Sequence, residues 1–217
     1  MDVSVVKDMI SVIRAERDRR LALLAKVDPE VAYDLWSEVD EPFVNDLCLM
    51  LLVSIRHTVE RELVKIAALV TSDGRDLDGD QYRQRIQDER KKLREKGWTE
   101  LVAKLKLIGS AEWDTSIETL RLLANIYKHS PQVTPDQALL KHLGLDFSVS
   151  YAPLPESQAL RAGLAVSLGL QGNSNYCDIA DELLIRASRF LADVQTRVAL
   201  SPVKLEMGSF NPSTFAH

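Results

Sequence analysis

The chain contains only two cysteines, Cys48 and Cys177, and their separation gives neither metal-ligand spacing nor a redox pair. Two reduced, buried thiols are expected. Four histidines are too few for a multi-histidine metal centre, and the spacing builds neither a His-Glu-x-x-His run nor a Ser-His-Asp arrangement. No metal and no cofactor is therefore expected. No apolar run approaches the roughly 18 residues of a membrane span, the longest being Leu47 to Val53. The Met-Asp-Val-Ser start lacks the basic and continuous apolar regions of a secretory signal. A cytoplasmic chain with no membrane contact is expected.

Two loop signatures also fail. Gly163, Gly169 and Gly172 are followed by no Lys-Ser or Lys-Thr, so they do not cradle a phosphate. Asp76-x-Asp78-x-Asp80 begins like a calcium loop, but Gln81 and Gln87 stand where glycine and a bidentate glutamate are needed.

What is present is enough for a core: 217 residues, 46% of them hydrophobic, with a net charge of −5 that argues against wholesale coating of nucleic acid. The pattern predicts an all-α bundle, one domain over 1–200 with a flexible tail over 201–217. Residues 4–27 read as an amphipathic helix, and Asp28-Pro29 caps and opens a short helix through Trp36. Asp40-Glu41-Pro42 reads as the same stop and restart. From Pro42 to Val70 apolar residues recur in steps of three and four, which predicts a long central helix.

Asp78 is placed to cap a charged helix through Lys96, ended by Gly97-Trp98, and Trp98 to Ile108 reads as another helix. Asp114 is placed to cap a helix over 116–129. Pro135 opens a short helix through Leu143, 146–152 alternates like a strand, and 159–170 reads as helix, so any short strand or hairpin belongs in 146–170. Asn175 to Leu200 predicts a last long amphipathic helix. Residues 81–106 hold nine Lys or Arg against four Asp or Glu, as a solvated face or a footprint for phosphates would.

Two polar constellations stand out on long helices. Arg121, Asn125 and His129 recur at steps of four, with Lys128 beside His129, and so share one helical face. Arginine binds phosphate oxygens bidentately and histidine moves protons near neutrality, so this stripe suits a phosphodiester. A solvated last turn, with Lys and His against the helix dipole, is the structural alternative. The second is Arg56, His57 and Glu60, clustered at i, i+3 and i+4 within an apolar stretch. A helix turning its solvent face outward after residue 55 is the structural alternative.

The segment from Leu120 through Asn125 and Lys128-His129 to Ser130, downstream of a long helix carrying Arg56-His57-x-x-Glu60, resembles the HEPN superfamily. The resemblance spans about residues 40–200 by helix pattern. It implies a four-helix core, a homodimer with the 121–129 helix at or near its interface, and RNA as substrate of a metal-independent endoribonuclease of toxin or defence type. His129 would be the acid/base, Arg121 and Lys128 would stabilise phosphorane charge, and Asn125 would orient the phosphate. An antitoxin or nucleotidyltransferase-like protein is the partner it implies. The family motif separates Arg and His by four to six residues, whereas seven lie between Arg121 and His129, and Leu122 fills a usually polar place. The alternatives are a noncatalytic homodimeric interaction protein of the same fold and a domain binding a small nucleotide between helices.

Overall fold

A computed structural model of the chain describes residues 3–70, 78–105, 113–129, 137–149, 151–152 and 157–200. Helix accounts for 85% of the interpretable residues and no strand occurs among them, so the fold is an all-α bundle. Residues 201–217, expected to be a tail, lie outside the described residues, as does Asp76 of the calcium-like segment.

In chain order the helices are α1 (Val3–Leu24), α2 (Pro29–Leu35), α3 (Glu41–Val70), α4 (Gly79–Lys96), α5 (Trp98–Lys104), α6 (Glu118–His129), α7 (Gln137–Leu143), α8 (Gln158–Ser167) and α9 (Tyr176–Leu200). The centre is α3. Fourteen of its residues are buried, Leu49, Leu52 and Leu63 completely. Its largest interfaces are with α9 and α6, followed by α1 and α4. The core is one continuous cluster that adds Val6 and Ile10 of α1, Leu120 and Leu123 of α6, and Ile179, Leu183 and Phe190 of α9. Each fully buried Leu or Phe contributes about 1.5–3 kcal/mol of transfer free energy, which is why helices of mixed charge assemble at all. By length and composition the Pro29–Val70 stretch could cross a membrane, with a window of mean hydropathy 1.2, half of it buried in the bundle.

Several boundaries follow local chemistry. Asp28 accepts from the Glu30 amide ahead of Pro29, and Asp78 accepts from the Asp80 and Gln81 amides. Gly97 closes α4 at φ +73°, a conformation that favours glycine. Asn175 accepts from the amides of Cys177 and Asp178, opening α9.

Other expectations are corrected. The Asp40-Glu41-Pro42 signal does not break the chain: α2 passes through a π-helical turn, Trp36–Asp40, straight into α3. The Glu41 amide reaches back five residues to the Trp36 carbonyl. That wider turn relieves the clash and the missing donor that Pro42 would bring to a regular helix. Likewise Asp114 lies inside a π-helical turn, Trp113–Ile117, rather than ahead of α6. Arg186 donates to Ser116 Oγ at 3.1 Å, and His142, which looks incidental in the sequence, lies 2.8 Å from Thr119 Oγ1 and 3.2 Å from the Thr115 carbonyl.

The strand-like alternation after Asp146 is a turn, in which Asp146 accepts from the Ser148 amide and hydroxyl, both at 2.8 Å. Phe147 and Val149 are left exposed. The cysteines also escape their sequence separation. Packing of α3 on α9 brings Cys48 Sγ and Cys177 Sγ to 2.8 Å, both thiols free and buried.

Buried and half-buried polar contacts fix the helices against one another. Arg14 of α1 holds Asp178 and Asp181 of α9 at 3.1 and 3.3 Å. Tyr127 of α6 donates to Asp46 of α3 at 2.7 Å, and burial, then that bond, raises its pKa. Arg161 of α8 pairs with Glu41 at the start of α3. Near it the completely buried Tyr176 keeps its phenol without a partner among the described residues, and burial raises its pKa.

Candidate anion-binding cleft

On α3, Ser54, Arg56, His57, Thr58, Glu60, Arg61 and Val64 form the floor of a cleft of about 810 Å³. One wall is α4, which contributes Arg90, Leu93 and Arg94, and Lys128 reaches in from the last turn of α6. Position makes the cations converge. Arg90 and Arg94 are one turn apart on α4, and α4 and α6 both pack on α3.

Glu60 organises the floor. Arg56 donates to its Oε1 at 2.5 Å, and His57 Nδ1 lies 3.0 Å from its Oε2. A carboxylate only accepts, so Nδ1 carries the hydrogen, and in the neutral ring Nε2 is the acceptor. Arg56 and Glu60 are largely buried, whereas the His57 side chain is 49% exposed and open to a ligand. Arg56 Nε is buried with no partner among the described residues. Such a donor costs about 1–3 kcal/mol until an acceptor reaches it.

The electrostatics are one-sided. Among the described residues, five guanidinium or ammonium groups, on Arg56, Arg61, Arg90, Arg94 and Lys128, line the cleft with the single carboxylate of Glu60. Arg61 pairs with the neighbouring Glu62 at 3.1 Å. Arg90, Arg94 and Lys128 have no carboxylate partner among the described residues, and Arg90, Arg94 and Lys128 are exposed. Cations in a groove with low-dielectric walls focus an attractive field on anions.

The structure divides the 121–129 stripe. Lys128 joins Arg56, His57 and Glu60, whereas Arg121 and Asn125 are half-buried and do not line the cleft. Arg121 instead grips Glu118 one turn back, Nε to Oε2 at 2.8 Å and a second nitrogen to Oε1 at 2.5 Å. Those bonds, against burial, hold the Glu118 carboxyl below its ordinary range. Seven residues of helix put Arg121 roughly 10 Å down the axis from Lys128. The His129 side chain lies outside the described residues.

Sequence reasoning left Arg61, Arg90 and Arg94 unassigned. The excess of positive charge over 81–106 was the available signal, but periodicity does not say which side of α4 meets α3. Among the described residues no group of three His, Cys, Asp or Glu side chains comes together to hold a metal ion. No protein family, curated protein or solved structure matches the chain.

Proposed function

We propose that the cleft binds the phosphate backbone of RNA and that the chain is a HEPN-like, metal-independent endoribonuclease acting there. The observation that carries the reading is the convergence of Arg90, Arg94 and Lys128, three cations without carboxylate partners among the described residues, on a floor bearing the His57–Glu60 pair.

RNA brings its own nucleophile, the 2′-hydroxyl, so the protein need supply only proton transfer and charge stabilisation. His57 Nε2 takes the 2′-hydroxyl proton as that oxygen attacks phosphorus. The 5′-oxygen leaves with a proton returned through the imidazolium, giving a 2′,3′-cyclic phosphate and a 5′-hydroxyl. Glu60 steadies the imidazolium, while Arg90, Arg94 and Lys128 stabilise the additional charge on the phosphorane. In this reading His57 takes the part that the family resemblance gives His129.

The test is cleavage of varied RNAs in EDTA by the wild type, His57→Ala and His129→Ala, with folding followed by circular dichroism. The reading expects His57→Ala to lose about 10²–10⁴-fold in rate, as loss of a general acid/base does, with His129→Ala much less affected. The reverse pattern returns the site to the 121–129 stripe. A wild type that binds RNA without cutting it keeps the cleft and removes the chemistry.

A second reading, a noncatalytic homodimer, is favoured by a different observation. Val31, Leu35, Val39 and Phe43 are exposed at four-residue steps along the continuous α2–α3 helix, and Val5, Met9 and Val12 are exposed along α1. Large exposed apolar rows mark association surfaces. Sedimentation equilibrium at micromolar concentration decides it: a monomer removes the dimer.

A further inference from the structure

We infer that Cys48 and Cys177 form a redox-active dithiol, which a peroxide oxidant converts into an intramolecular disulfide joining α3 to α9. Their sulfurs are 2.8 Å apart although 129 residues separate them in the chain. A bond near 2.05 Å therefore needs a closure of less than about 1 Å. Two other buried side chains at van der Waals contact would not be placed so closely. One thiol must donate to the other, and the surroundings decide the direction.

Cys177 is the acceptor. It occupies the first turn of α9, where its amide and that of Asp178 point at the Asn175 cap and the helix dipole favours negative charge. The hydrogen bond from Cys48 lowers its pKa against burial, helped by the charges of Arg14 and Arg17 and opposed by Asp178. Arg14 is held in place by Asp178 and Asp181, so its charge stays near the thiol. Cys48, the donor, sits two turns inside α3, and the same hydrogen bond together with burial drives its pKa the other way. The asymmetry is that of an attacking and a resolving thiol.

The chemistry balances with hydrogen peroxide as oxidant. The Cys177 thiolate attacks one peroxide oxygen, the O–O bond breaks, and water leaves once hydroxide is protonated, giving a sulfenic acid on Cys177. The Cys48 sulfur then attacks that sulfur, the S–O bond breaks, and a second water leaves. Two thiols and one peroxide become a disulfide and two waters, the two electrons passing from sulfur to oxygen. Burial of both residues limits access, so only a small oxidant reacts with the closed bundle.

The experiment exposes the folded full-length chain to hydrogen peroxide, quenches it, alkylates free thiols in guanidinium and measures the intact mass. Expected is a species lighter by two hydrogens, carrying no alkyl groups and yielding a peptide that joins residue 48 to residue 177. Alkylation of both thiols, or disulfides only between chains, overturns the inference. Cys48→Ser and Cys177→Ser set the direction. After a timed peroxide pulse, quenching and unfolding in guanidinium containing dimedone, Cys177 in Cys48→Ser should have formed sulfenic acid several-fold faster than Cys48 in Cys177→Ser, and equal rates overturn the assigned roles. Should either variant fail to fold, the wild-type mass alone decides the pair.

Discussion

Helices α4 and α6 both deliver cations to the cleft, but they are held by opposite means. In α6, Leu120, Leu122, Leu123, Ala124 and Ile126 are buried against the bundle, and the helix is placed by its apolar face. In α4 the one buried residue is Glu89, which pairs with Lys92 at 3.1 Å and with Lys104 of α5, while Ile86 and Leu93 pack only partly on the core. Lys128 is thus positioned by hydrophobic burial, Arg90 and Arg94 by a lightly anchored charged helix. Changes on α6 should be read as stability, and changes on the exposed face of α4 as binding.

The sharpest break of that contrast is Leu123→Ala. Leu123 is fully buried in α6, so the cavity should cost about 2–5 kcal/mol, read as a lower midpoint in urea. An effect below 1 kcal/mol would mean α6 is not seated in the core as described.

Arg90→Glu and Arg94→Glu, on exposed positions, should leave the midpoint nearly unchanged. They should weaken RNA in fluorescence anisotropy and flatten the salt dependence by about 0.7 in log–log slope per lost phosphate contact. Unfolding of either variant would show that α4 is structural rather than a binding wall.

The smallest effect belongs to Arg121→Ala. Its pair with Glu118 is about a third exposed on each side, and partly exposed pairs contribute roughly 0–1 kcal/mol. The sign with pH is fixed. The folded state holds the Glu118 carboxyl below its ordinary value of 4.5, so the stabilisation is present above that pH and fades as pH falls through the lowered pKa. Wild type and variant should therefore differ at pH 7 and converge in acid. A difference that grows in acid would assign Arg121 another role.

The same contrast explains what the sequence disclosed. Caps at Asp28 and Asp78 and the stop at Gly97 depend on atoms within a few residues, and they were legible. Pro42 was misread because the π-helical turn that accommodates it is a choice made by the surrounding bundle, with Asp40 tied to Arg20 of α1. The 146–152 alternation misled because Asp146 closes a local turn that period-two spacing does not reveal. At the site, Arg56, His57, Glu60 and Lys128 were identifiable, but their union was not, because it depends on which faces of α3, α4 and α6 meet. Cys48 and Cys177 were kept apart for the same reason, since distance along a chain carries no information once two helices lie side by side.

The buried phenols give the bundle an optical signature. Tyr176 and Tyr127 are both raised above the ordinary value of 10.0, mainly by burial, and Tyr82 is pushed up to about 12. The native state therefore keeps these protons after an unfolded chain has released them, so its stability is full below pH 10 and declines above it. In an alkaline titration, the ultraviolet band of tyrosinate from these side chains should lag behind that of the chain unfolded in guanidinium and then rise together with loss of helix, so that absorbance alone reports when the core opens.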